Sequence, residues 1–206
     1  MNTSTYFLGM AASAGLIMAI GAQNAFILRQ GVRREHVGAV VTLCAASDAA
    51  LIALGTAGIG AASTVFPLAI PLMTVAGILF LSVYGLQAAR RAWRPTGDGL
   101  DGHGGPALPL RSALLQAAAF SWLNPHAWLD TTVLLGSLAN AQGDGRWTFA
   151  AGAMTSSLLW FTVLAWTAGR LAPLFRRPHT WRVFDAGVAM MMLALAGGLT
   201  LQTLKG

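Results

Sequence analysis

Six apolar stretches dominate the chain, near 5–28, 37–60, 68–89, 112–138, 147–169 and 183–204. None alternates polar with apolar residues, and each is far longer than the roughly ten residues that a strand of a membrane barrel needs. A helix rising about 1.5 Å per residue crosses a bilayer core of about 30 Å in about 20 residues. The pattern therefore predicts an all-α, polytopic membrane protein with six transmembrane helices. The first stretch carries no charge from Met1 to Leu28 and lacks the basic start of a secretory leader, so it reads as a retained helix. The connection at 92–110 holds Pro95, Gly97, Gly99, Gly102, Gly104, Gly105, Pro106 and Pro109, a composition that packs no core and predicts a flexible linker. It separates a three-helix half, 1–91, from a second, 111–206. Because three is odd, related halves would lie in opposite orientations, the inverted-repeat plan of many secondary transporters. Asn24 then has a counterpart in Asn124, and Ser47 in Ser157.

Composition agrees with the pattern: 55% hydrophobic and 10% charged residues leave too little polar surface for a soluble domain. The net charge of +6 invites a nucleic-acid reading, but its distribution points elsewhere. All but Arg146 and Lys205 of the 13 basic residues fall in three connections, with Arg29, Arg33 and Arg34 in the first, Arg90, Arg91, Arg94 and Arg111 in the second, and Arg170, Arg176, Arg177 and Arg182 in the third. The positive-inside rule places these connections in the cytoplasm and both termini outside, and topology with lipid headgroups accounts for the arginines. Trp93 and Trp181 read as interfacial anchors at the same boundary. The single Cys44 excludes an intramolecular disulfide and a cysteine-cluster metal site, and no cofactor is implied.

Against this background two acids stand out. Asp48 is the only charged residue between Val37 and Ala89, and Asp130 lies in a charge-free stretch from Ser112 to Gly143. A carboxylate at the centre of a membrane helix costs about 2.5–3.5 kcal/mol on insertion scales, and no basic residue inside a span is placed to neutralise either one. Both read as parts of a pathway for something cationic. In the first half Gly21-Ala22-Gln23-Asn24 brings two carboxamides next to a glycine, where the backbone can unwind. In the second, Pro125 lacks an amide hydrogen and opposes the carbonyl of Ser121, so the helix should kink or break there. A freed carbonyl at that depth is tolerated only inside protein or beside a water-filled cavity. Asn24, Gln23, Asn124, Asp48 and Asp130 thus become candidates for a polar pocket. His126 shares a helix face with Asp130 and could exchange a proton or cation with it. Packing accounts also exist: a structural kink for Pro125, interhelical hydrogen bonds for the asparagines and a hydrogen-bonded packing role for His126. Ala45, Ala49, Ala53 and Ala57 form a ridge of small side chains suited to close helix contact. Trp122, Trp128 and Trp160 lie deep in the spans, where they either pack or present an aromatic face to a cation.

The segments Gly21-Ala22-Gln23-Asn24-Ala25-Phe26-Ile27-Leu28-Arg29-Gln30-Gly31, Ser47-Asp48 and Trp122-Leu123-Asn124-Pro125-His126-Ala127-Trp128-Leu129-Asp130-Thr131 resemble the signature segments of the LysE/ArgO family of basic amino-acid exporters. The resemblance in length and hydropathy spans essentially the whole chain. It implies export of L-lysine or L-arginine from the bacterial cytoplasm across the inner membrane, driven by the proton motive force, by a protein able to dimerise. It also carries the family's intramembrane acids to Asp48 and Asp130, and its asparagine motifs to Asn24 and Asn124.

Physical chemistry is compatible with such a cargo. A guanidinium or ammonium needs an acidic partner, and an α-carboxylate can be met by backbone amides at the start of a broken helix. Moving one positive charge outward against about 100 mV costs about 2.3 kcal/mol, which inward proton movement would offset. The expected partners are therefore a cationic amino acid, protons and lipid, with no nucleic acid. The alternative is another small amino acid or a metal cation, although one cysteine, one histidine within the spans and two acids make a thin donor set for a soft metal. A membrane enzyme is disfavoured because the candidate groups lie deep in the spans rather than at headgroup level.

Overall fold

The computed structural model describes residues 2–18, 21–58, 69–93 and 107–205, and every regular element among them is helical. The chain order is α1 (Thr3–Ile17), α2 (Ala22–Arg33), α3 (Val37–Thr56), α4 (Ala69–Trp93), α5 (Leu110–Trp122), α6 (Pro125–Trp128), a π-helical turn (Leu129–Leu135), α7 (Gly136–Asn140), α8 (Arg146–Leu171) and α9 (Pro178–Lys205). Among the described residues three stretches are long and apolar enough to cross a membrane, Val37–Thr56, Gly143–Phe175 and His179–Leu204, and α1 with α2 passes as a bent pair. Most of the linker, 94–106, lies outside the described residues, as does 59–68.

The first apolar stretch is not the single helix that its hydropathy suggests. Its two helices meet at 86°. Gly21 caps α2 in an extended conformation without lending a side chain, and the carboxamides of Gln23 and Asn24 fall in the first turn after the break. The fourth stretch is broken too, as its proline predicts. Helix α5 ends at Trp122 and the chain restarts at Pro125, the first helical position, where a missing amide hydrogen costs nothing. The interruption therefore falls at Leu123 and Asn124, ahead of the proline. Beyond Trp128 the helix widens to π geometry. The hydroxyls of Thr131 and Thr132 donate to the carbonyls of Ala127 and Trp128, taking up acceptors that a tighter helix would use.

Helix α8 holds the fold together, packing on α1, α2 and α3, while α4 packs on α9. The α1–α8 crossing depends on glycine: a Cβ on Gly9 would collide with the backbone of Phe149, and one on Gly152 with that of Tyr6. Gly55 and Gly136 allow a similar approach between α3 and the second broken element. The alanine ridge on α3 is not the contact face: Ala45, Ala49 and Ala53 are half-buried and Ala57 is exposed. The buried stripe runs through Val40, Cys44, Ser47, Asp48, Leu51 and Gly55, because the polar pair must turn inward and takes the helix face with it. Leu72, Leu79, Val83 and Leu86 of α4 and Val183 and Met190 of α9 stay exposed, as an apolar surface facing lipid would be.

On the arginine-rich side, α2 runs into α3 through a left-handed turn at Arg34 (φ 54°) and His36 (φ 50°). Arg33 donates to both oxygens of Glu35, at 3.0 and 2.8 Å, and His36 Nε2 lies 2.8 Å from the carbonyl oxygen of Leu108 at the approach to α5. Burial alone would raise the pKa of Glu35. The Arg33 hydrogen bond and charge, with a bond from the Leu108 amide, reverse that and hold it below its ordinary value.

Candidate functional site

A cavity of about 250 Å³ lies where the two breaks meet, with walls from both halves of the chain. Gln23 and Asn24 enter from the first turn of α2, Asp48 from the middle of α3, Asn124 from the second break, Asp130 and Thr131 from the π-helical turn, and Ser157 from α8. Five of the residues singled out from sequence thus share one space although more than 100 residues separate the first from the last in the 206-residue chain. Pro125 opens α6 at the rim of the second break, and its side chain and that of His126 lie outside what is described.

The local geometry explains why each group points inward. Asn24 Nδ2 donates to the Ile17 carbonyl at 2.9 Å, tying α2 back to the end of α1, while its Oδ1 accepts from Trp160 Nε1 at 3.3 Å. Asp48 is 5% exposed, with Ser157 and Gln23 facing its carboxylate. Gln23 does not complete a hydrogen bond there: its Nε2 is buried without an acceptor among the described residues. Asp130 is less buried than Asp48 and projects from the widened turn, where the backbone departs from regular α geometry. The start of α2 at Ala22 puts the positive end of its helix dipole beside Gln23 and Asn24. The cavity therefore offers two carboxylates, three carboxamides, hydroxyls and a helix start, which together suit a small zwitterion carrying an extra positive charge.

The tryptophans brace these walls from behind. Trp122 Nε1 donates to Ser47 Oγ at 3.0 Å, Trp128 Nε1 donates to the Trp122 carbonyl at 3.1 Å, and the two rings stand edge to face at 5.8 Å. Their indole N–H groups are bonded to protein acceptors, which fixes the orientation of both rings. Among the described residues no three His, Cys, Asp or Glu side chains converge as metal donors.

Ser157 was visible in the sequence only as a match to Ser47, and Asp185 was missed altogether. Asp185 is a further buried acid, and both Arg29 and Arg91 donate to it. Those two arginines are thus not simple juxtamembrane charges. Trp181 is likewise not an interfacial anchor: it is 9% exposed, packs edge to face on Phe175 at 5.0 Å and lies under the Arg29 guanidinium. The usable signal was an acid just inside the sixth apolar stretch, at 183–204.

The comparisons with known proteins point the same way as the cavity. Residues 14–203 match the model of the LysE type translocator family. A Mycobacterium tuberculosis protein named as a candidate amino-acid transporter is 47% identical over 181 residues, covering 88% of this chain and 89% of that one. The protein named lysine exporter LysE in Corynebacterium efficiens is 33% identical over 223 residues, covering 95% and 98%. An Aeromonas salmonicida protein, also named as a candidate amino-acid transporter, is 37% identical over 194 residues, covering 94% of each chain. No solved structure matches. With matches of this reach, the chain, a multi-pass membrane protein, belongs to the family of LysE type translocators.

Proposed function

We propose that this translocator is a secondary active exporter of basic amino acids, L-arginine or L-lysine, working by alternating access with inward proton movement. The single observation that carries the reading is the convergence of Asp48 and Asp130 with Gln23, Asn24 and Asn124 in one membrane-depth cavity beside a helix start. The carboxylates suit the cationic side chain, and the amides at the start of α2 suit the α-carboxylate. An ionised acid binds the cargo, and the same acid once protonated releases it. Exchange for a proton offsets the cost of carrying a positive charge outward, about 2.3 kcal/mol per 100 mV.

The architecture is in keeping with six spans in two inverted halves, 1–91 and 111–206. Each half runs in the order broken helix, long helix, long helix: α1 and α2 precede α3 and α4, and α5 to α7 precede α8 and α9. We place the arginine-rich connections in the bacterial cytoplasm and both termini outside. In a Cys44→Ser background, single cysteines at Gly97 and Gly102 should then resist a membrane-impermeant thiol reagent in intact cells, while one at Asn140 or Gly143 should react. Labelling of positions 97 and 102 from outside would reverse the orientation.

Uptake of radiolabelled arginine and lysine into inverted vesicles, with and without a pH gradient, tests the transport reading. Accumulation that needs the gradient is the expected result. Gradient-independent uptake would favour a potential-driven uniporter, and uptake confined to neutral amino acids or metal ions would replace the cargo.

A further inference from the structure

The cavity stops short of the arginine-rich end of the bundle. Along α2 its wall reaches Asn24, and neither Phe26 nor Arg29 belongs to it. Phe26 instead joins an aromatic layer with Phe80 and Tyr84 of α4 and Phe120 of α5. Phe120 stands 5.3 Å from Phe26, 4.7 Å from Phe80 and 5.0 Å from Tyr84, centroid to centroid. Phe26 and Phe120 are each 1% exposed and Tyr84 is buried, while Phe80 is half-buried at the edge of the layer.

Behind that layer lies the Asp185 cluster. Arg29 Nη1 donates to Asp185 Oδ1 at 2.5 Å, and Arg91 Nε donates to the same oxygen at 3.2 Å. The Arg29 guanidinium sits 5.5 Å above the Trp181 ring and that of Arg91 5.8 Å above Tyr84. Three helices, α2, α4 and α9, are thus joined through one carboxylate. Asp185 is separated from the cavity residue Leu195 by about 15 Å of helix rise, so the cluster is a separate layer. It is also incompletely satisfied. Two guanidiniums on one carboxylate leave an excess positive charge, and Arg91 Nη2 is buried without a hydrogen-bond partner among the described residues. A network whose only task was stability would be expected to close this group off, since buried polar atoms are almost always paired. Opening would return it to water, which lowers the cost of separating the ion pairs.

We propose, resting on the transporter reading above, that Arg29, Arg91 and Asp185 with the overlying Phe26, Phe80, Tyr84 and Phe120 form a lock that shuts the cavity toward the arginine-rich face. The lock ties both halves together, because Arg29 and Arg91 belong to the first and Asp185 to the second. Cargo entering from that face requires α2 to part from α4 and α9, carrying Arg29 away from Asp185 and Phe26 away from the rings of α4 and α5.

The test needs no cargo. A single cysteine replacing Leu195, in a Cys44→Ser background, places a thiol on the cavity wall without touching its polar groups. Its reaction with an impermeant thiol reagent is then followed in vesicles that expose the Arg29 face. With the lock intact labelling should be slow, and Asp185→Asn or Arg29→Gln should accelerate it at least tenfold, while Asp185→Glu should keep it slow. Arg91→Gln, which leaves the Arg29–Asp185 pair in place, should give an intermediate rate and serves if Asp185→Asn fails to fold. Unchanged labelling in Arg91→Gln and in whichever of the other lock variants remains folded by size-exclusion chromatography overturns the lock. Because labelling reports access alone, failure to transport arginine or lysine would remove the cargo assignment and leave the lock standing, and the reverse holds as well.

Discussion

The two halves of the bundle break the helix that enters the cavity in different ways. The first break comes before α2 at Gly21, has no proline, and is followed by a regular helix whose sixth residue after Asn24 is the neutral, buried Gln30. The second comes at Asn124, is set by Pro125, and leads into a π-helical turn whose sixth residue after Asn124 is Asp130. The first half supplies its cavity acid from its next helix, as Asp48 on α3, where the second half offers Ser157 on α8. The order of helical elements is alike on the two sides of the linker, but the groups they bring to the cavity are not. Two acids at equivalent positions would face each other as like charges. Acids at unlike positions can take unlike surroundings, one tightly packed and one in a looser, wider turn.

Neutralising the acids should give the largest effects. Asp48→Asn and Asp130→Asn are each expected to reduce export about a hundredfold or more while the protein stays inserted, since a charge costly at membrane depth has been removed. Near-normal efflux from either would drop that acid from the pathway. The comparison sharpens with lengthened acids. Asp130→Glu should keep measurable export, because the π-helical turn leaves room, whereas Asp48→Glu should not, because Asp48 is enclosed by α8. Equal behaviour of the two glutamate variants would mean that the difference in packing has no functional weight.

Next in size come the helix crossings. Gly152→Leu drives a side chain into the backbone of Tyr6 and should destabilise the α1–α8 contact by about 1–3 kcal/mol, read as a lowered midpoint of thermal unfolding in detergent. Gly197→Leu, with open space around the Cβ position, should leave the midpoint near that of the parent.

The smallest effect concerns the turn at Glu35. Its pKa is held below the ordinary value, so the folded chain binds the proton more weakly than the unfolded chain does and gains stability where the carboxylate is ionised. The stabilisation is present above the unfolded pKa and is lost as pH falls through the lower folded pKa. Glu35→Gln should cost about 1 kcal/mol or less at neutral pH and nothing once the parent's carboxylate is protonated in strong acid. A difference that persists unchanged into strong acid would assign the effect to packing rather than charge.

Much of the cavity was legible because membrane depth penalises polarity, so each acid and carboxamide in an apolar stretch carried information by itself. Asp48, Asp130, Gln23, Asn24 and Asn124 were found that way. The break after Asn124 was legible from Pro125, but the separation of α1 from α2 was not, since Gly21 permits a break without demanding one. Asp185 escaped because it lies near a span end where charges are common, and only the packing of α9 against α4 and α2 shows that it is buried. The π-helical turn left no sequence pattern, since the hydroxyl back-bonds of Thr131 and Thr132 are also made by Thr155 and Thr162 in the regular helix α8.

Helix α8 also bears on how the protein is made. It comes late in the chain, at Arg146–Leu171, yet α1, α2 and α3 all rest against it. During synthesis those three helices enter the membrane before the surface that covers Asp48 and Asn24 exists. The growing chain must therefore hold a carboxylate and several amides against lipid, water or the insertion machinery until the second half emerges. A polypeptide ending near residue 91 should accordingly be a substrate for membrane quality control rather than a stable half, and synthesis of the two halves as separate chains should rescue the first only when the second is present.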